Sequence, residues 1–472
     1  MIPGVNNGPG AASREPKRRA AGQIGLAALL LLVPTMVNGY PLMYPDTGTY
    51  LLQAIELYGA PDRPPFYSLL IFAFHLKLSL WPVAAMQAVA LATAIRIVMR
   101  TLVSELSGRS YLLTVSLLTL FTSLPWHVGQ IVPDVFSALL ALLAFELSYS
   151  WPRYSKWERT LLAFVACGIT TLHFSHLPLA IGVFVAAALL RLAQGFGIKD
   201  AVRVLLVGWT ITKVASLAFL AYSYALVQKP RLSPSGNLFM AARVLADGPG
   251  RAYLAETCPA SGNVFCEYQS RLGESADEFL WEPTSPLRDA LAKHGDAAVD
   301  RSCGEIVTGV LRTRPGEQLA AAFDNSVSQF THFATLDTDC PARCGEGMSV
   351  QRALRQYFAG EFRHYQSSLQ MQGSLPLALI RAADRIVVVL SAVLLVGLLI
   401  GALRQRDSLA VGLAMIVVAT LVLNAVIAGT LSSVHDRYQS RVIWLVPFAL
   451  LALWLRRSAA AAPHTTSGTI PA

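Results

Sequence analysis

Four short stretches of this sequence hold side chains able to do chemistry. The first is Tyr44-Pro45-Asp46-Thr47-Gly48-Thr49-Tyr50. Its carboxylate, Asp46, suits a general base or a metal ligand. It also suits a helix N-cap, because Pro45-Asp46 precede a helical stretch at 49–58. The second is Asp62-Arg63-Pro64-Pro65-Phe66-Tyr67, where two prolines force an extended entry into the run that follows. The Arg63 guanidinium offers a fork of donors to a phosphate, or else to Asp62 or to lipid headgroups. The third runs from Pro125-Trp126-His127 to Pro133-Asp134. Asp134 is either a second carboxylate beside Asp46 or another N-cap. His127 and Gln130 add polar groups, and Trp126 fits a membrane–water belt. Nearby in type, His173 and His176 lie three apart and could share a metal on one helix face, although histidines around a turn are commonly plain surface residues. The fourth is Ser432-Ser433-Val434-His435-Asp436-Arg437-Tyr438-Gln439-Ser440-Arg441. Placing two arginines, a histidine and an aspartate beside an apolar run is costly and marks a functional place. The fitting ligand is an anion at headgroup depth, such as a lipid phosphate; the plainer alternative is a loop salt-bridged through Asp436.

The elements that must position these groups are apolar. Of 472 residues, 54% are hydrophobic and 14% charged, against roughly 25% charged in soluble proteins. This excludes a disordered chain, a coiled coil and an ordinary soluble enzyme, and leaves an all-α polytopic membrane protein. Apolar runs fall at 22–40, 84–103, 110–125, 134–150, 159–173, 177–193, 204–227, 379–402, 408–430 and 441–455. The loops carrying Arg100 and Arg109, Arg153 to Arg159, Arg191 to Arg203, Arg404 and Arg406, and Arg456 and Arg457 all fall on one side if these ten runs span. By the positive-inside rule that side is the cytoplasm. The run 66–80, short and holding His75 and Lys77, is expected at the outer surface rather than across the membrane.

Charge distribution supports this layout. The net charge is +9, yet 228–376 carries 14 Lys/Arg and 17 Asp/Glu, so the excess of positive charge sits in the short loops. It orients the chain, and no nucleic-acid partner is implied. The expected organisation is a cytoplasmic tail 1–21, a membrane module 22–227 with an outer loop 41–83, a mainly helical extracytoplasmic domain 228–376, a membrane module 377–457 and a disordered tail 458–472. Five of the six cysteines lie in 228–376, which suggests disulfides in an oxidising compartment. Cys258–Cys266 and Cys340–Cys344 are the local pairs, with one thiol left over; the spacings match no common zinc signature.

On this topology Asp46, Arg63, Asp134, His435, Arg437 and Arg441 share one side. Their order resembles that of the polytopic glycosyltransferases of the C superfamily, which include protein O-mannosyltransferases and aminoarabinose transferases. The likeness rests on Asp46-Thr47-Gly48-Thr49-Tyr50, on Arg63-Pro64-Pro65-Phe66-Tyr67, on Asp134 opening a later span and on Arg437-Tyr438 before a late one. It covers roughly 22–227 and 379–455. The chain also resembles bacterial membrane proteins with an Asp-Arg-Tyr-Gln-Ser-Arg stretch before the last helix. It departs from the family in lacking an Asp-Glu pair in the first loop and in carrying its outer domain between the seventh and eighth spans.

The resemblance implies a bundle of about ten helices in the bacterial cytoplasmic membrane. It implies transfer of a sugar from a polyprenyl-phosphate donor to a lipid, glycan or protein acceptor at the outer face. Asp46 would then be the base. Arg437 and Arg63, with Arg441 and Tyr438, would hold the donor phosphate. Asp134, with His127 and His435, would serve the acceptor or a divalent metal such as Mg or Mn. Two rivals stand beside this. A transporter or flippase for lipid-linked sugars would line the mid-membrane with polar groups, for which Lys213 and Glu146 are the nearest candidates. A non-catalytic envelope assembly protein would act through 228–376.

Overall fold

The computed structural model describes residues 17–337 and 340–461. Every regular element among them is helical. Seven helices among the described residues are long and apolar enough to cross a membrane: Arg18–Asn38, Trp81–Leu102, His176–Ala193, Ile198–Val227, Leu377–Arg404, Ser408–Leu431 and Asp436–Ala461. Their large exposed side chains are apolar, for example Leu29, Leu189, Leu206, Leu390 and Val393, as a lipid-facing surface requires. The runs 110–125, 134–150 and 159–173 fold as the shorter helices Gly108–Phe121, Val135–Tyr149 and Lys156–Thr171, each below the ~20 residues of a full span.

Val135–Tyr149 forms the axis of the bundle, because every one of its residues is buried. A helix apolar on all sides can only be covered on all sides. Here Trp81–Leu102, Lys156–Thr171, His176–Ala193 and Ser408–Leu431 cover it. The basic loops gather at one end of this bundle. Arg153 donates to the Thr101 carbonyl and Arg456 to the Leu102 carbonyl, while Arg203 reaches Leu147 and Ser148. Asp407 pairs with Arg456 there, and Asp200 with Arg191 and Arg203.

Residues 228–376 do not share one core. Helices from Gly236–Asp247 to Asp296–Thr313 enclose their own cluster, including Val244, Leu254, Phe265, Phe279, Val299 and Ile306. Cys340, Cys344, Val350, Leu354 and Tyr365 join the main membrane core instead. The disulfides form as the spacing leads one to expect, Cys258 with Cys266 and Cys340 with Cys344. Cys303 is the free thiol of the segment and is buried.

Three boundaries differ from expectation. The last span begins at Asp436, as the helix Asp436–Ile443 running into Leu445–Ala461, so Arg437 and Arg441 stand on a helix rather than in a loop. The first helix starts at Lys17, inside the expected tail. The last runs to Ala461, and the rest of the expected disordered tail, 462–472, lies outside the described residues, as does 1–16 of the first.

Candidate functional site

Backbone pairing brings the first and third motifs together. Leu42 forms an isolated bridge with Gln130: the Leu42 N–H donates to Gly129 at 2.9 Å, and the Ile131 N–H donates back to Leu42 at 3.0 Å. Thr47 reinforces the seam, its hydroxyl donating to the Ile131 carbonyl at 3.0 Å while accepting from the Tyr44 N–H. Asp46 therefore rides on the first turn of the helix Pro45–Ile55, beside the stretch that ends in Asp134. It is not the cap of that helix, a position held by Tyr44. Asp134 does occupy the N-cap of Val135–Tyr149, but its side chain makes no capping bond. Its oxygens go elsewhere.

They go to arginine. Arg437 and Arg441 are four apart on Asp436–Ile443, so both guanidiniums leave the same face. Arg437 gives its Nε to Asp134 Oδ2, and Arg441 gives its Nη1 to Asp134 Oδ1 at 3.0 Å. Arg437 also gives its Nη1 to Asp46 Oδ2 at 2.9 Å. The other oxygen of Asp46 accepts from Arg63 Nη2 at 2.5 Å, and Arg63 holds Asp62 through its second nitrogen. Six residues from four separate stretches of sequence thus close into one row: Asp62, Arg63, Asp46, Arg437, Asp134, Arg441. Acid and base alternate, three of each, so the row is neutral.

The row is graded in depth. Asp134 is fully buried and the Arg441 and Arg437 side chains are 2% and 5% exposed, whereas Arg63 reaches 14% and Asp46 21%. Its inner end is closed by Asn424, which accepts from Arg441 Nη2 at 2.8 Å. Its outer end faces the loop 60–63, pinned by the Tyr222 hydroxyl on the Ala60 carbonyl at 2.7 Å. Aromatic faces flank the cations: the Arg437 guanidinium lies 3.8 Å from the Tyr44 ring centre, and Arg63 lies 5.9 Å from those of Tyr50 and Trp281. Burial alone would raise the Asp46 pKa; the Arg63 and Arg437 guanidiniums overcome it and hold the group down at about 2. A carboxylate so clamped is ionised but a weak base.

The remaining expected site residues sit around the row. Tyr438 puts its ring 5.3 Å from Arg441 and its hydroxyl 3.2 Å from Ser432. His127 shares a 3.0 Å hydrogen bond with Ser440 through Nε2, and its buried Nδ1 has no partner among the described residues. Burial, against the pull of Asp134, lowers its pKa to about 4, so the ring is neutral. His435 points away and pairs with Asp277 at 2.9 Å. His176 is spent on Ser137 and the Ile169 carbonyl, and His173 on Ser175. No group of three or more His, Cys, Asp or Glu among the described residues is placed to hold a metal ion. All three carboxylates of the row already hold guanidiniums, so these residues do not suit a divalent cation.

Several partners escaped the sequence reading. Asn424 and Asp384 are polar groups inside long apolar runs, which was their signal. Asp384 accepts from the Ser123 N–H and the Thr335 hydroxyl, both at 3.0 Å, and Ser123 in turn holds the Ser440 carbonyl. Tyr44, Trp281 and Asp337, which accepts from the Arg437 N–H at 2.9 Å, carried no comparable mark. The two mid-membrane candidates lie apart from all of this. Lys213 is on the exposed side of Ile198–Val227, and Glu146 is bonded to Thr101 and Tyr154 at the basic end. No family model, curated protein or solved structure matches the chain.

Proposed function

We propose that this protein is a membrane glycosyltransferase, acting on a polyprenyl-phosphate sugar at the end of the bundle opposite the basic loops. The observation that supports it is the alternating row itself. Carboxylates for an acceptor and guanidiniums for a phosphate stand in contact, at the mouth of a bundle whose outer surface suits lipid. In this reading the basic end is cytoplasmic, the row faces the outside of a bacterial inner membrane, and the three shorter helices complete about ten crossings of a C-superfamily-like bundle with 228–376 outside.

The chemistry follows from the charge balance. An arriving phosphodiester meets the outer, less buried end first, where Arg63 and Arg437 hold Asp46. Each guanidinium that turns to the phosphate leaves Asp46, and its basicity rises as its cationic neighbours are shared. Donor binding thereby makes the base. Asp46 takes the proton of the acceptor hydroxyl, the acceptor oxygen bonds to the anomeric carbon, and the bond from that carbon to the phosphate oxygen breaks. The leaving phosphate keeps the electron pair, and the same arginines stabilise its charge. Asp134, out of reach at the buried end, serves to aim Arg437 and Arg441. No metal enters this scheme.

Purified protein in proteoliposomes, given synthetic decaprenyl-phosphate sugars and a membrane extract as acceptor source, is expected to release decaprenyl phosphate. Asp46→Asn is expected to abolish release while insertion and expression stay intact. Wild-type release by that variant would remove Asp46 as base.

A further inference from the structure

The helix Pro315–Thr331 is amphipathic the wrong way round for a helix in water. Its two buried residues are both glutamines, Gln318 and Gln329. Gln318 and Asn325 both donate to Asp247, at 2.7 and 2.8 Å, and Gln329 exchanges hydrogen bonds with the backbone of His435 at 2.8 and 2.9 Å. The opposite side carries Leu319, Phe323, Val327 and Phe330, between 41% and 72% exposed. Their spacing of four, four and three makes one continuous stripe. Glu317 and Asp324 are also exposed, but they fall roughly 100° further round the helix at 3.6 residues per turn. Polar groups toward protein, an apolar stripe outward and charges to one flank describe a helix at a boundary between hydrocarbon and water.

Its position agrees. The helix packs against Ser408–Leu431, a span that itself exposes Val418, Val422, Val426 and Leu431. The two are in tight contact at Gly429, where a Cβ would collide with the backbone of Asn325 and Ser326. That glycine stands two residues from the end of the span, at the end of the bundle where the row lies. The exposed apolar surface of the span therefore continues on its neighbour. We infer that Pro315–Thr331 is an interfacial helix: Leu319, Phe323, Val327 and Phe330 lie in the acyl boundary of the leaflet at the row's end of the bundle, and Glu317 and Asp324 lie in water. It moors the segment 236–313 to the bilayer surface beside the row.

The test uses the full chain in proteoliposomes, with Cys167→Ala removing the accessible free thiol. Phe323→Cys and Asp324→Cys are each labelled with bimane and quenched either by phosphatidylcholine with brominated acyl chains or by aqueous iodide. Brominated chains are expected to reduce emission from the Phe323 site by about twofold or more and to spare the Asp324 site; iodide is expected to do the reverse. Equal iodide quenching at both sites, with none from brominated lipid, places the stripe in water and overturns the inference. A Phe323 label that neither quencher reaches means that protein, such as a second copy, covers the stripe, and overturns it too. Val327→Cys repeats the measurement if Phe323→Cys does not fold. No turnover is needed, so the result is independent of the glycosyltransferase reading.

Discussion

Arg437 Nη1 donates to Asp46 Oδ2 at 2.9 Å across 391 positions of sequence. The same guanidinium donates to Asp134 from Nε, so one planar group joins two acids from separate parts of the chain. A lysine, with a compact charge on a flexible stem, cannot serve both in that geometry. Arg437→Gln leaves a fully buried Asp134 with one cation and Asp46 with another. Breaking a buried pair in this way costs about 3–5 kcal/mol, and Arg437→Lys is expected to recover only part of it. Thermal unfolding in detergent, followed with both variants, checks the order wild type, Lys, Gln. Equal melting temperatures for all three would remove the row's structural role.

Much of this was legible beforehand because the cost of charge beside a membrane filters which charges persist there. Asp46, Arg63, Asp134, Arg437 and Arg441 each stood out, and loop charge alone put them on one side. What could not be read was their pairing. Whether Arg437 meets Asp134 depends on Asp436 to Ile443 being helical, which gives Arg437 and Arg441 a common face; a short polar stretch after two serines looks like a loop. Whether Asp46 meets them depends on the Leu42–Gln130 bridge, a contact with no sequence signature. The pairing of His435 was equally out of reach: the residue precedes the helix and turns to Asp277, a partner in a segment with its own core.

Asp134 and Asp46, the two aspartates that share Arg437, are expected to fail differently. Asp134→Asn removes the charge that two buried guanidiniums share, so it is expected to lower stability by about 3 kcal/mol or more. Asp46→Asn sits where water reaches, and its loss is expected to cost about 1 kcal/mol or less, while release of decaprenyl phosphate is lost. Parallel melting and turnover measurements separate the two. If Asp46→Asn melts as early as Asp134→Asn, its inactivity says nothing of catalysis.

Gly48 offers a test that leaves every charge in place. It sits two residues after Asp46, where Pro45–Ile55 packs on Ser349–Tyr357, and a Cβ there would run into the backbone of Ser349 and Val350. Backbone cannot step aside as a side-chain end can. Gly48→Ala is expected to cost about 1–3 kcal/mol through overpacking and to displace Asp46 from its two arginines. A melting temperature within error of wild type would mean that the two helices separate without cost.

The contact between Asp277 and His435 should make the helix Ala276–Trp281 sensitive to pH. Burial would lower the His435 pKa, but the Asp277 carboxylate reverses this and raises it. Burial would raise Asp277, and the hydrogen bond and charge of His435 bring it below its ordinary value. The raised histidine contributes stability that is complete below its unfolded value of about 6.5 and is lost as pH rises through the folded value. The lowered aspartate contributes above its unfolded value of about 3.9 and is lost as pH falls through the folded one. The contact is therefore strongest between roughly pH 4 and 6.5. Trp281, on the same helix, lies over Arg63, so loosening reaches the mouth of the row. Hydrogen exchange of 274–284, corrected for the intrinsic pH dependence, is expected to be faster at pH 8 than at pH 6. In His435→Gln it is expected to be equally fast at both, and an undiminished pH difference in that variant would assign the effect to another group.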